Sequence, residues 1–192
     1  MSFIFRRQII SFAVESAAFP TKIEGIFNMN LDRTDMRILR QLEQDGRISN
    51  QDLANAVALS PSACLRRVKL LEERGVIEGY RCTLSPKNLG VAFEALVHVS
   101  MRPDAPEWHD KFVEAIREWP EVVSAQVITG ASNYVLVVRT RDLEHYSDFV
   151  IHKLHRTSGV MSINSSIVLS TIKRDGSMLD LVATSAGGGH GG

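Results

Sequence analysis

ISNQDLANAVALSPSACLRRVKLLEERGVI, residues 48–77, spells out two short helices together with their start and stop signals. Ser49 stands where a side-chain oxygen caps the first helix, with Asp52 at the third helical position in a capping-box-like role. Ile48 and Leu53 flank that cap at the spacing of a hydrophobic staple. A tight Ala58-Leu59 connection follows, and Ser60-Pro61 then offers a second cap with proline at the first helical position. Cys64, Val68 and Leu71 recur at helical spacing as one apolar stripe. Gly75 comes just after the last turn, where a left-handed cap favours glycine.

Two capped helices joined this closely, the second with Arg66, Arg67 and Lys69 off its apolar stripe, fit a helix-turn-helix. In that motif the N-terminal half of the second helix reaches base edges in the major groove. Here that half offers Ser60, Ser62 and Ala63, small enough for close approach, then the guanidinium groups of Arg66 and Arg67 and the ammonium of Lys69. Arginine can form a bidentate pair with guanine, and any of these cations can meet phosphate. The competing reading is a solvated helix face on which Glu72 and Glu73 pair with Lys69 or Arg66, worth only about 0.3 kcal/mol a pair. The complete capped pair outweighs it, and double-stranded DNA is the expected partner.

Residues 31–44 place Leu31, Ile38, Leu39 and Leu42 on one helical face, a first helix able to pack across the other two. Asp45-Gly46 is a turn signal. After Gly75, the apolar residues Val76, Ile77, Tyr80 and Leu84 predict a small β element, a wing or linker, broken at Ser85-Pro86. The chain's 192 residues allow one medium or two small domains, and zero net charge makes any attraction to DNA local to that helix. Two cysteines, Cys64 on a helical stripe and Cys82 in a linker, do not make a disulfide scaffold. No apolar run is long enough to span a bilayer, and the expected setting is cytoplasmic.

The ends lie outside these patterns. Residues 1–28 mix apolar residues with Arg6-Arg7 and make a poor secretory signal; they are either an over-called start ahead of Met29 or an amphipathic arm. The closing SAGGGHGG is flexible by composition, so residues 175–192 are expected to form a tail. The predicted organisation is 29–79 for the helix-turn-helix domain, 80–91 for a linker and 92–174 for a second domain.

In that second domain Ala95, Val97, Val99 and Met101 alternate as a strand. Asp104 to Glu107 resembles a capping box opening a helix with Trp108, Phe112, Ile116 and Trp119 on one side, stopped by Pro120. Val123, Ala125 and Val127 make a second strand, residues 130–133 a turn, and Tyr134, Leu136 and Val138 a third strand. Leu143, Tyr146, Val150 and Leu154 mark another helix, and residues 160–172 a long last strand. The order β-α-β-β-α-β is a ferredoxin-like sandwich with helices on one sheet face. Leu96, His98 and Ser100 would point to the other face, which favours face-to-face dimerisation. The expected fold class is α+β, a winged helix-turn-helix followed by a ferredoxin-like domain.

Over residues 31–173 the chain resembles the Lrp/AsnC, or feast/famine, family of transcription regulators. The marks are LDRTDMRILRQLEQDGR, then LSPSACLRRVKLLEERGVIEGY, and more weakly the turn-strand GASNYVL. The resemblance implies a homodimer or larger even-numbered assembly that binds promoter DNA and is tuned by a small effector, usually an amino acid, held between regulatory domains of adjoining subunits. It implies no cofactor, metal or catalytic residue. Carried over by position, the effector loop is Gly130, Ala131, Ser132, Asn133 and Tyr134, with Val127, Leu143, Ser166, Ile167 and Val168 nearby. Gly130 would let a ligand approach the backbone closely, although a plain hairpin turn would also use it.

Two positions depart from the family. Asn133 stands where aspartate is usual, and an amide offers an ammonium group only a neutral acceptor. Leu70 stands where basic residues are frequent. A rival with the same architecture is a sirohaem-decarboxylase-like enzyme, which would need His98, Arg139, His152 and His155 to converge on a tetrapyrrole; no spacing ties them together.

Overall fold

The computed structural model describes residues 31–102, 107–174 and 176–185. Contacts divide them into two units, one of residues 31–83 with 172–185 and one of residues 84–171.

The first unit holds α1 (Arg33–Gln44), α2 (Asn50–Ala56) and α3 (Pro61–Glu73). Asp32 caps α1 by accepting the N–H groups of Thr34 and Asp35 at 2.8 Å each, and Asp35 accepts the N–H of Asp32 at 3.2 Å. This reciprocal box satisfies donors that a helix start otherwise leaves open. Ser49 accepts from the N–H of Asp52 at 3.1 Å and Ser60 from that of Ala63 at 3.3 Å, so both caps of the motif form. The turn between α2 and α3 puts Ala58 at φ 55° and closes with the Leu59 N–H donating to the Ala54 carbonyl at 2.9 Å. Ile38, Leu53, Ala54, Val57, Cys64 and Leu71 form the core. Burial pushes the Cys64 thiol up, which suits a small buried hydrophobe.

Two expectations for this unit change. Residues 76–84 form no strand. Val76 and Ile77 are drawn onto the helical core, and the Tyr80 hydroxyl donates to Glu72 on α3 at 3.0 Å, so the segment follows the helices instead of a ladder. The expected tail from residue 175 contains α6 (Leu179–Ser185), whose Leu179 packs on the same core while Asp180 meets Arg40 of α1 at 3.1 Å. That pair is too exposed to hold the helix alone. Composition is dominated by the final glycines, which lie outside the described residues, and hides the short apolar run ahead of them.

The second unit is a four-stranded antiparallel sheet in the order β2-β3-β1-β4. Its elements are β1 (Phe93–Met101), α4 (Glu107–Glu118), β2 (Val122–Val127), β3 (Tyr134–Thr140), α5 (Leu143–Asp148), a π-helical continuation (Phe149–Leu154) and β4 (Val160–Ile167). Ala95, Val97, Val99 and Met101 of β1 and Tyr134, Leu136 and Val138 of β3 are buried against Phe112, Ile116, Tyr146, Phe149 and Leu154 of the helices. The proposed cap at Asp104 lies outside the described residues.

Regular α-periodicity does not continue through the last helix. The His155 N–H donates to the Val150 carbonyl, five residues back, at 2.9 Å. That wider turn brings both Phe149 and Leu154 into the core, whereas Leu143, expected on the buried side, is 58% exposed at the first turn. The last strand also ends at Ile167, short of residue 172. Its neighbour β1 begins at Phe93, and the ladder between them closes where the Val168 N–H reaches the Glu94 carbonyl at 2.9 Å.

The opposite face of the sheet carries Glu94, Leu96, His98, Val135, Val137 and Arg139, and among the described residues the helices of this unit pack on the other face. Glu94 and Arg139 stand directly across from each other on β1 and β3 and pair at 2.5 Å.

Candidate DNA-reading and effector sites

Packing fixes which side of α3 is available. Cys64 and Leu71 are buried and Val68 packs with them, so Ser62, Arg66 and Lys69 are left on the exposed side, with Ser60 at the exposed helix start. Ala63 is partly covered. Arg66 and Lys69 enter none of the ion pairs among the described residues. Leu65, not expected as part of this set, also projects here and is 45% exposed. Its position three residues after Ser62 and four before Lys69 was the signal for it.

Arg67 departs from the expectation of a DNA contact. Its Nη1 donates to Asp32 Oδ2 and Asp35 Oδ1, both at 2.7 Å, across the packed face between α3 and α1. Helical geometry turns Arg67 some 100° away from Arg66, toward the core, where the capping box of α1 waits with two carboxylates. The Asp35 N–H, with Arg67 beside it, holds the Asp32 carboxyl below its ordinary value, and the two carboxylates raise Arg67. Arg67 is a clamp between helices. Asn50 donates to the Pro61 carbonyl at 2.9 Å and Arg37 to the Ala56 carbonyl at 3.0 Å, which fix the angle of the pair further.

The effector residues are less well gathered. Residues 128–133 form a loop tied to the Met101 end of β1. The Asn133 N–H donates to the Val99 carbonyl at 2.9 Å, Ser100 Oγ donates to the Ala131 carbonyl at 3.1 Å, and Asn133 Oδ1 accepts the Met101 N–H at 2.7 Å. Gly130, at φ 120°, has open space around it, so its backbone is accessible. Ser132 is half-buried. The carbonyl that was read as an acceptor for an ammonium group is thus already engaged by the backbone.

Tyr134 differs from the loop around it. It is buried on the helix side of the sheet, its hydroxyl 2.9 Å from His109 Nδ1, and burial pushes its pKa up to about 12. The same burial lowers His109. Val127 shares that side, and both line a groove of about 350 Å³ between α4 and β2. Ser166 and Ile167 pair with Leu96 and Ala95, at the other end of β1 from the loop on Val99. Four residues of strand separate the two places, roughly 13 Å. Val168 and the exposed Leu143 lie toward that same far end. Within one chain the loop and the last strand therefore stand toward opposite ends of β1.

The residues of the enzymatic alternative do not converge either. His98 and Arg139 stand on the uncovered sheet face, whereas His152 and His155 are exposed on the helix that covers the other face. Among the described residues no group of three metal-ligating side chains occurs, and no helix is long and apolar enough to cross a membrane.

Known proteins agree with both units. Residues 31–78 match the model for a winged helix-turn-helix DNA-binding domain, and residues 94–178 match that for an Lrp/AsnC ligand binding domain. The transcriptional regulator AzlB of Bacillus subtilis is 38% identical over 75% of this chain and 92% of its own length. A leucine-responsive regulatory protein of Rhizobium meliloti is 36% identical over 77% and 95%. Among solved structures, a Neisseria meningitidis transcriptional regulator in complex with L-Met superposes with a TM-score of 0.72, at 40% identity, over 75% of this chain and 93% of that one. With these likenesses over both units, the chain belongs to the Lrp/AsnC family of DNA-binding transcription regulators.

Proposed function

We propose that this regulator reads promoter DNA with the exposed side of α3, works as a homodimer or larger even-numbered assembly, and responds to an amino acid or a related small metabolite. The observation that carries the reading is the separation of faces on α3. Cys64 and Leu71 anchor one side, while Ser62, Arg66 and Lys69 are exposed on the other, the two cations in no ion pair among the described residues. A cytoplasmic setting follows from work on DNA. Leu96, Val135 and Val137 on the uncovered sheet face support pairing with a second copy. Because Gly130–Asn133 and Ser166–Val168 lie at opposite ends of β1, an effector that touches both needs residues from two chains.

The L-Met of the Neisseria relative supports an amino acid as the effector class. In this chain Asn133 Oδ1 already accepts the Met101 N–H, so the ammonium would be held by loop carbonyls, among them those near Gly130. The test is selection of binding sites from a random duplex library by the full-length protein, then shift assays at fixed salt with Arg66→Ala and Lys69→Ala, each with and without L-methionine. Loss of about 1–3 kcal/mol for Arg66→Ala is expected if it makes a bidentate base contact. Undiminished binding by both folded variants would sink the assignment of α3. Titration calorimetry against a panel of amino acids tests the effector separately.

A further inference from the structure

We propose that Leu65 is a base-reading residue: its side chain meets the 5-methyl group of a thymine in the major groove and sets the preference at one position of each half-site. This rests on the reading of α3 as the DNA-reading helix, and goes beyond it in naming what is read. An exposed leucine on a soluble protein is ordinary by itself. The position of this one is not. It takes no part in the core beneath α3, although Cys64 beside it is fully buried. Ser62, Leu65, Arg66 and Lys69 fall at i, i+3, i+4 and i+7, which sets them on one side of the first three turns.

The chemistry of that row divides the work. Arg66 and Lys69 supply cations for guanine or phosphate, and Ser62 a hydroxyl that suits several partners. Leu65 has no donor or acceptor, so it cannot read the hydrogen-bonding edge of any base. Thymine alone presents an apolar group in the major groove, and contact with its methyl is what an aliphatic side chain there can recognise. Leu70, also exposed at 40%, stands about 140° further round the helix, and the last turn of α3 carries the carboxylates of Glu72 and Glu73. Those charges would meet phosphate repulsively, so the C-terminal half of α3 is the poorer reader.

The experiment uses the full-length protein and the consensus duplex that it selects from a random library. Each thymine is replaced singly by deoxyuridine, which removes the methyl and keeps the hydrogen-bonding edge. One thymine in each half-site should weaken binding roughly fourfold when its methyl is lost, the worth of about one buried carbon. Leu65→Ala should bind thymine and uracil there equally, while Arg66→Ala should keep the difference. Selection with Leu65→Gln should recover a different base at that position alone. A consensus with no uracil-sensitive thymine, or Leu65→Ala that keeps the sensitivity, would overturn the proposal while the role of α3 stands. A folded Leu65→Ala that changes oligomer size with its base preference intact would make Leu65 a subunit contact and also overturn it. Failure of the wild-type protein to enrich any sequence would remove the reading of α3, and this proposal with it.

Discussion

The helix-turn-helix unit gathers its candidate contacts on three turns of α3, whereas the sheet unit spreads its own over both ends of β1. The first arrangement is set by helical period, which any stretch of sequence displays. The second depends on which strands neighbour each other and on what a second chain adds. A site built along one element belongs to the monomer; one divided across a sheet waits for its assembly.

The sheet unit should also be the less tolerant of a small change at its connections. Gly159, before β4, has φ 84°, and a Cβ there would lie 2.5 Å from Cβ of Trp108 on α4. Gly159→Ala meets a conformational cost and a collision with an anchored atom together. We expect a loss of about 2–5 kcal/mol, the sum of a left-handed residue and an overpacked contact. Denaturant unfolding measures it, and a loss under 1 kcal/mol would show that α4 can shift without penalty.

Arg66 and Arg67 sharpen the comparison inside the helical unit, because adjacent arginines are expected to fail in different assays. Arg67→Ala leaves Asp35, buried on α1, without its cation, so folding stability should fall by about 1–3 kcal/mol, below the full cost of a buried pair because Arg67 is partly exposed. Arg66→Ala should leave the melting temperature unchanged and weaken DNA. Equal stability of the two variants would put Arg67 back on the DNA side.

What the sequence could tell follows the same division. Ser49, Ser60 and Gly75 announce their caps because the partners are three or four residues away. The alternation in β1 and β3 announces the buried face of the sheet for the same reason. Arg67 was misread because its partners, Asp32 and Asp35, lie more than thirty residues upstream, and a run of basic residues does not say which one turns inward. The bond from the Met101 N–H to Asn133 was not legible either, because Met101 lies more than thirty residues upstream on β1. The π-helical turn left no mark either, since one extra residue per turn looks like an ordinary lapse in helical spacing.

Tyr134 offers a smaller effect with a characteristic pH signature. Tyr134→Phe removes the bond to His109 and should cost about 1 kcal/mol at neutral pH. Burial raises the folded-state pKa to about 12, above the value near 10 of an unfolded tyrosine. Between those values the unfolded chain has lost a proton that the folded chain keeps, so this contribution is full below pH 10 and falls as pH rises toward 12. The advantage of wild type over Tyr134→Phe should therefore shrink and then reverse within that window. A gap that stays constant in urea unfolding from pH 9 to 11.5 would show that Tyr134 reaches solvent.

The smallest change expected is in the turn of the motif itself. Ala58 holds φ 55°, where its Cβ crowds the following carbonyl, at a cost of roughly 1–2 kcal/mol for a residue other than glycine. Ala58→Gly removes that crowding, but glycine gives the unfolded chain more freedom, which takes back about 0.5–1 kcal/mol. The net gain should be about 0.5 kcal/mol, read as a slightly higher denaturation midpoint with an unchanged slope. The hydrogen bond from the Leu59 N–H to the Ala54 carbonyl fixes the turn from both sides, so α3 should keep its angle to α2 and DNA affinity should not move. A more stable variant with weaker DNA binding would mean that the strained alanine itself positions α3, and that even the locally written site depends on a geometry held under tension.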